Sequence, residues 1–187
     1  SLATKATYDN LLFLDADVLP KYDNFIGRFD LNNIKISKVI FGGVCYHLEK
    51  PKQDQILRWK YGHKRETKNV EDRLQNPFTI VSSSLLIDKE VFFVKHIDNP
   101  VYHLGLESND AFLKKSLEAV KSSYLLEKNK YIKKDVRPLQ KSYQLLRKLK
   151  LVGVFSIFLK PFKGSIKSNL LSNNPSMFLF DLYRLNY

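Results

Sequence analysis

Residues 10–20 read NLLFLDADVLP. The stretch opens on a short apolar run, NLLFL, and passes straight into Asp15-Ala16-Asp17. An apolar run of this length bounded by polar residues reads as a buried β-strand. Pro20 closes it, because proline has no N–H to give to a ladder. Side chains alternate along a strand, so Asp15 and Asp17 project the same way. At the end of a buried strand they stand in the crevice where open α/β sheets bind ligands. Two carboxylates held together repel unless a cation lies between them. A divalent ion with oxygen ligands suits that position and can in turn hold a diphosphate. The alternative is that the two acids cap a turn or the helix that follows.

On either side of this strand the chain alternates extended and helical patterns. Residues 22–29 read as a short helix. Residues 39–46, VIFGGVCY, read as a second buried strand in which Gly42-Gly43 allows a bulge or a close backbone approach. Residues 53–62 read as helical, with Ile56, Leu57 and Trp59-Lys60-Tyr61 on an aromatic-rich face. Residues 79–87, TIVSSSLLI, read as a third strand. Asp88 follows in the position of an N-cap for a helix over 89–93. Residues 95–98 and 101–104 read as short extended pieces joined at Asn99-Pro100.

Residues 108–130 carry the clearest helical pattern. Ser108 or Asn109 can cap it, and Phe112, Leu113, Ser116, Leu117, Val120 and Tyr124 fall at helical spacing. Residues 140–150 read as a basic helix ending near Gly153, and residues 151–159 are nearly all apolar. Strands alternating with helices argue for an α/β fold. The expected division is an α/β domain over residues 1–125 and a basic, mainly helical extension over residues 126–187.

The chain has 187 residues, of which 44% are hydrophobic, enough for a real core and against wholesale disorder. A single cysteine, Cys45, excludes an internal disulfide framework and a cysteine-based zinc site, and fits a reducing, cytosolic setting. No apolar run approaches the roughly 20 residues needed to span a bilayer. The opening SLATKATYDN is not of the signal-peptide kind and has no initiating Met, which suggests a fragment or a processed piece. The formal net charge is +12, and residues 121–167 hold 13 Lys or Arg against two acids, Glu127 and Asp135. Such an excess favours polyanions. The segment LVGVFSIFLKPFK mixes apolar and basic residues as interfacial segments do, so a peripheral membrane contact through the basic tail is one expectation. A solvated charged surface is the other. No recognisable nucleic-acid module accompanies the charge, and no nucleic acid is expected as a partner.

LLFLDADVLP resembles the Asp-x-Asp strand of the family 2 glycosyltransferases, which have the GT-A fold. The likeness continues in order through FGGVCY, LRWKYGHKRE, TIVSSSLLIDKEVF and HIDNPVYHLGLESNDAFLKK, over roughly residues 1–125. It is most similar to the bacterial branch that carries such a His-Leu-Gly-Leu-Glu segment. The resemblance implies a GT-A-like, Rossmann-like mixed sheet flanked by helices, with a helical C-terminal tail. It implies transfer of a sugar from a nucleotide-diphosphate donor to a hydroxyl of a glycan or lipid-linked acceptor, with inversion, of the kind used in polysaccharide biosynthesis. Asp15 and Asp17 would bind the donor diphosphate and a divalent metal, Mg²⁺ or Mn²⁺. His103 lies where related enzymes often supply a further metal or diphosphate contact; the alternative is a partly buried histidine satisfying a loop carbonyl. The implied location is the cytoplasm, peripheral on the inner membrane face.

Other residues carry paired readings. Ser82, Ser83 and Ser84 line the acceptor side or form the polar face of a strand. Trp59, Tyr61 and His63 stack on a sugar or belong to a core, and His96 reads as structural. The family's nucleotide-binding strand and loop ordinarily precede the sequence seen here. Its acidic Glu-Asp element supplies the general base. Here Val91-Phe92-Phe93-Val94 runs directly into Lys95-His96 with no such acid, so the chain is expected to lack both parts and no catalytic residue is assigned. Two other classes compete. A non-catalytic transferase fold would retain binding alone. A haloacid-dehalogenase-like phosphatase would use the first Asp as nucleophile, but no later acidic motif accompanies it.

Overall fold

The computed structural model describes residues 5–29, 37–75, 83–88, 94–129 and 137–187. The chain divides into two compact units, residues 1–50 with 61–106, and residues 51–60 with 107–187. Strands and helices both contribute, so the protein is mixed α/β.

Among its described residues the first unit holds seven strands: β1 (Asn10–Leu14), β2 (Val18–Pro20), β3 (Val39–Phe41), β4 (Val44–Cys45), β5 (Ser84–Asp88), β6 (Val94–His96) and β7 (Val101–His103). They form a four-stranded sheet in the order β1-β5-β3-β6 and a three-stranded sheet in the order β2-β7-β4. In the first sheet β5 lies antiparallel to both β1 and β3, and β6 runs parallel to β3. β3 is flanked on both sides, and Val39, Ile40 and Phe41 are all buried. β1 is an edge among the described residues, and this changes its environment. The expected strand forms but is not buried: Asn10, Leu11 and Leu12 are half-buried, and Phe13 and Leu14 are 45% and 44% exposed.

The single strand expected over residues 39–46 is in fact two strands in two different sheets, and the break falls at Gly42-Gly43. The close backbone approach is real. Gly42 donates its N–H to the Ser84 carbonyl at 3.0 Å and accepts from the Asn99 N–H at 3.0 Å. A Cβ on Gly42 would overlap the Asn99 carbonyl. Gly43 has φ +100°, a conformation open to glycine, and sits against the Arg73 guanidinium. Arg73 belongs to a short helix, α2 (Val70–Leu74), which Asn69 caps by accepting the Asp72 N–H at 2.7 Å.

Two local expectations fail for long-range reasons. Residues 22–29 form successive turns rather than a helix. The buried Asn99 side chain donates to the Phe25 carbonyl at 2.9 Å, and Arg28 reaches the Asp98 carbonyl at 2.7 Å, tying these turns to the chain before β7. Asp88 is the last residue of β5, not a helix cap. It pairs with Asn10 in register, donates its N–H to the Lys38 carbonyl at 2.7 Å and bonds the Lys38 ammonium at 2.7 Å. The helix expected over 89–93, and residues 79–82 with Ser82, lie outside the described residues.

Cys45 lies buried in β4, and burial pushes its thiol from 9.0 up to about 11. The thiolate is the nucleophile, so native Cys45 is expected to resist thiol reagents at pH 8 and to label quickly once the chain is unfolded in guanidinium. Equal labelling rates in the two states would refute its burial. The sign of the linkage follows. The folded state holds the proton more tightly, so this contribution to stability is complete below pH 9 and is lost as pH rises towards 11.

The second unit is helical. α1 (Ile56–Tyr61) follows a 3₁₀ turn at Gln53–Gln55 and passes into a π-type turn at Gly62–Glu66, residues that belong to the first unit. After it in the chain come α2 and then α3 (Asn109–Lys128), α4 (Pro138–Lys148), α5 (Val152–Leu159), α6 (Lys163–Leu170) and α7 (Met177–Leu185). Ser108 caps α3 by accepting the Ala111 N–H at 3.3 Å, as its sequence position suggests. Asn109 is buried and fastens α1 to α3. Its Oδ1 accepts the Leu57 N–H at 2.7 Å and its amide donates to the Gln53 carbonyl at 3.1 Å. Phe112 and Phe180 stack at 5.7 Å over a core completed by Ile56, Leu57, Leu159, Ile166 and Leu170. α4 ends in a Schellman turn: the Leu151 N–H reaches the Leu146 carbonyl at 2.9 Å and the Lys150 N–H the Arg147 carbonyl at 3.1 Å. Lys150 takes the left-handed position, φ 58°, where glycine is usual. Among the described residues no helix is long and apolar enough to cross a membrane.

Candidate functional site

The acidic turn forms where β1 stops. Leu14 pairs with Ser84, and Asp15 continues past the ladder to meet Ser83, whose hydroxyl donates to Asp15 Oδ2 at 2.8 Å. Ser83 is buried while Asp15 is exposed, so a fixed donor holds one oxygen of a carboxylate that otherwise faces solvent. Residues 16 and 17 turn the chain into β2, which pairs antiparallel with β7 in the register Val18↔His103. The Asp17 carbonyl accepts the Leu104 N–H at 3.0 Å, extending that ladder by one bond. This pairing brings the acidic turn beside the segment His103-Leu104-Gly105, which is about 85 residues away in sequence. Gly105 lies directly against the Asp17 carboxylate, and a Cβ there would overlap it.

His103 is held differently. Its ring stacks on Tyr46 with centroids 5.5 Å apart and planes at 18°. Tyr46 is itself buried. His63 lies against its ring at 5.8 Å, the Glu66 carboxylate accepts its hydroxyl proton, and only a glycine fits at position 62 behind it. The His103 Nδ1 is buried and without a hydrogen-bond partner. The alternative of a histidine satisfying a loop carbonyl therefore finds no support at that nitrogen.

The remaining candidates separate. Ser84 is buried with its hydroxyl towards the Asn99 carbonyl at 3.4 Å, a structural place in the backbone crossing, while Ser83 belongs to the acidic turn. His63 Nε2 lies 3.0 Å from the His47 carbonyl. Tyr61 is half-buried in the first unit, and Trp59 is half-buried on α1 in the second. His96 lies in β6 in register with Phe41. Sequence reasoning passed over Gly105 and Tyr46. Gly105 stood in the quoted segment, but only its contact with Asp17 reveals its use.

Asp15 and Asp17 fit one kind of divalent site. Among the described residues no three His, Cys, Asp or Glu side chains group as metal ligands. Those residues therefore build no closed protein cage. Magnesium and manganese commonly take one or two carboxylates and fill the remaining positions with water and substrate phosphate. Two exposed carboxylates beside a residue without a side chain suit such an open arrangement. Comparison with protein-family models, curated proteins and solved structures finds no match.

Proposed function

We propose that this chain is a metal-dependent glycosyltransferase of the GT-A-like kind, or the core of one, that moves a sugar from a nucleotide-diphosphate donor to an acceptor hydroxyl with inversion. The observation that carries this reading is the junction of the acidic turn with His103-Leu104-Gly105. The two motifs on which the family resemblance rests are far apart in sequence and meet through the β2–β7 register. Asp15, held by Ser83, and Asp17, backed by Gly105, would hold Mg²⁺ or Mn²⁺ and, through it, the donor diphosphate. A bound divalent ion supplies charge neutralisation to the departing diphosphate. The chain's own contribution is to hold the Asp15 carboxylate with the buried Ser83 donor before the donor sugar arrives, so that less ordering remains there at binding. His103, in register with Val18 beside the turn, would add a contact to the diphosphate.

The test is calorimetric titration with a panel of nucleoside diphosphates, with and without Mn²⁺. The native chain should bind one of them in a metal-dependent way. Asp17→Asn should weaken that binding at least about 30-fold, because one of the two carboxylate charges that would face the dication is lost. No metal-dependent binding by the native chain, or equal affinity in Asp17→Asn, would defeat the proposal. Binding without sugar transfer or donor hydrolysis would select the non-catalytic transferase fold, which the missing acidic element favours.

A further inference from the structure

Residues 136–180 contain eight Lys or Arg and no Asp or Glu. The same stretch carries α4, α5 and α6, and one face of it is apolar and open. Leu151, Val154, Ile157, Phe158 and Phe162 follow helical spacing and are 42%, 63%, 74%, 66% and 49% exposed. Phe158 and Phe162 face each other at 5.8 Å, so the stripe continues from α5 through the 3₁₀ turn that follows it. The opposite side of α5 is anchored, because Leu159 is buried. Leu145 and Leu149 of the preceding helix end are also exposed, at 57% and 55%. Lys148, Lys150, Lys160 and Lys163, all exposed, flank it.

From this arrangement we infer that the α4–α5–α6 face of the second unit is a docking surface for an anionic lipid bilayer. The apolar stripe would lie at the level of the acyl boundary, and the flanking lysines would run their methylene stems along it and reach the phosphates. The charge decides the occupant. A neutral apolar partner would not call for four exposed lysines in a stretch of sequence that carries no acid. A nucleic acid would leave Val154, Ile157 and Phe158 in water. An anionic membrane satisfies both the stripe and its rim, each lysine near the surface adding roughly fivefold to the partition. This surface stands independently of the sugar-transfer reading, since no residue of the acidic turn takes part.

The test is co-sedimentation of the full chain with phosphatidylcholine vesicles, with and without phosphatidylglycerol. Binding to the anionic vesicles should exceed binding to neutral ones at least tenfold. It should weaken as salt rises from 0.1 to 1 M, over which the Debye length falls from about 10 to about 3 Å. The double variant Ile157→Ser/Phe158→Ser should lose at least about tenfold of the binding, because both side chains are solvent-facing and their burial is the apolar contribution. Its circular dichroism and melting temperature should match the native chain. A Phe158→Trp variant should shift its emission to the blue on anionic vesicles. No binding to anionic vesicles at low salt, equal binding to neutral ones, or an unshifted emission from the Phe158→Trp variant would overturn the inference. So would a concentration-dependent dimer in ultracentrifugation that disappears in the double variant, because a second copy would then cover the stripe.

Discussion

Gly42→Ala is expected to destabilise the protein by about 3 kcal/mol, against a total for ordinary domains of about 5–15 kcal/mol. The new methyl group would be driven into the Asn99 carbonyl, with the Ser84 hydroxyl 2.5 Å away. Neither obstacle is the free end of a long side chain. The Asn99 carbonyl is main chain, and the Asn99 side chain is fully buried and bonded to Phe25. Ser84 is fixed within β5 and donates towards the same carbonyl. Relief therefore requires the two strands crossing at Gly42 to separate, and that would break the Gly42–Ser84 and Asn99–Gly42 hydrogen bonds. The damage would spread, because Arg73 spans the same crossing. Its buried guanidinium donates to the Lys68 carbonyl at 2.6 Å and the Ile97 carbonyl at 2.6 Å, and lies over the Phe41 ring. Urea denaturation would measure the effect. A midpoint within experimental error of the native chain would show that the crossing is loose.

That crossing also marks where the sequence stops being readable. The pair Gly42-Gly43 signals a close approach, and local rules go no further. What approaches is Asn99, 57 residues on, and Arg73, about 30 residues on, and nothing in VIFGGVCY names either. Helix α3 is the opposite case. Its cap, its periodic apolar face and its length are all local, and the expected span of residues 108–130 matches Asn109–Lys128 closely. Residues 22–29 and Asp88 show local preference losing to distant partners. Asp88 has good capping chemistry, but Asn10 and Lys38 engage it across the sheet.

The site divides along the same line. Asp15, Asp17 and His103 stand out as residue types, and each can be picked from the sequence. Their assembly depends on the register Val18↔His103, which no periodicity encodes. The Ser-rich strand gave two adjacent serines with different fates. Ser83, in the turn before β5, meets Asp15, and Ser84, the first residue of β5, meets Asn99. Equally hidden was that β1 is an edge among the described residues and that the acidic turn at its end is open to solvent.

Gly105→Ala separates the site from the fold most cleanly. The added Cβ would land on the Asp17 carboxylate, and its nearest neighbours are all atoms of that one side chain. Asp17 is exposed, so its carboxylate can swing into water with little loss of packing. Gly105 has no left-handed backbone requirement, since Gly43 is the glycine with positive φ among the described residues. Stability should therefore change by less than about 1 kcal/mol. The carboxylate, however, would leave its place against residue 105. If the two acids jointly hold a divalent ion, metal-dependent binding of nucleoside diphosphate should fall at least about tenfold, while the melting temperature without metal stays near the native value. The combination is diagnostic. Asp17→Asn removes the charge, whereas Gly105→Ala keeps it and moves it, so equal losses in both would mean that position matters as much as charge. Native affinity in Gly105→Ala would mean that the Asp17 carboxylate is not used where the structure places it, and the proposed metal and diphosphate site at the end of β1 would have to be abandoned.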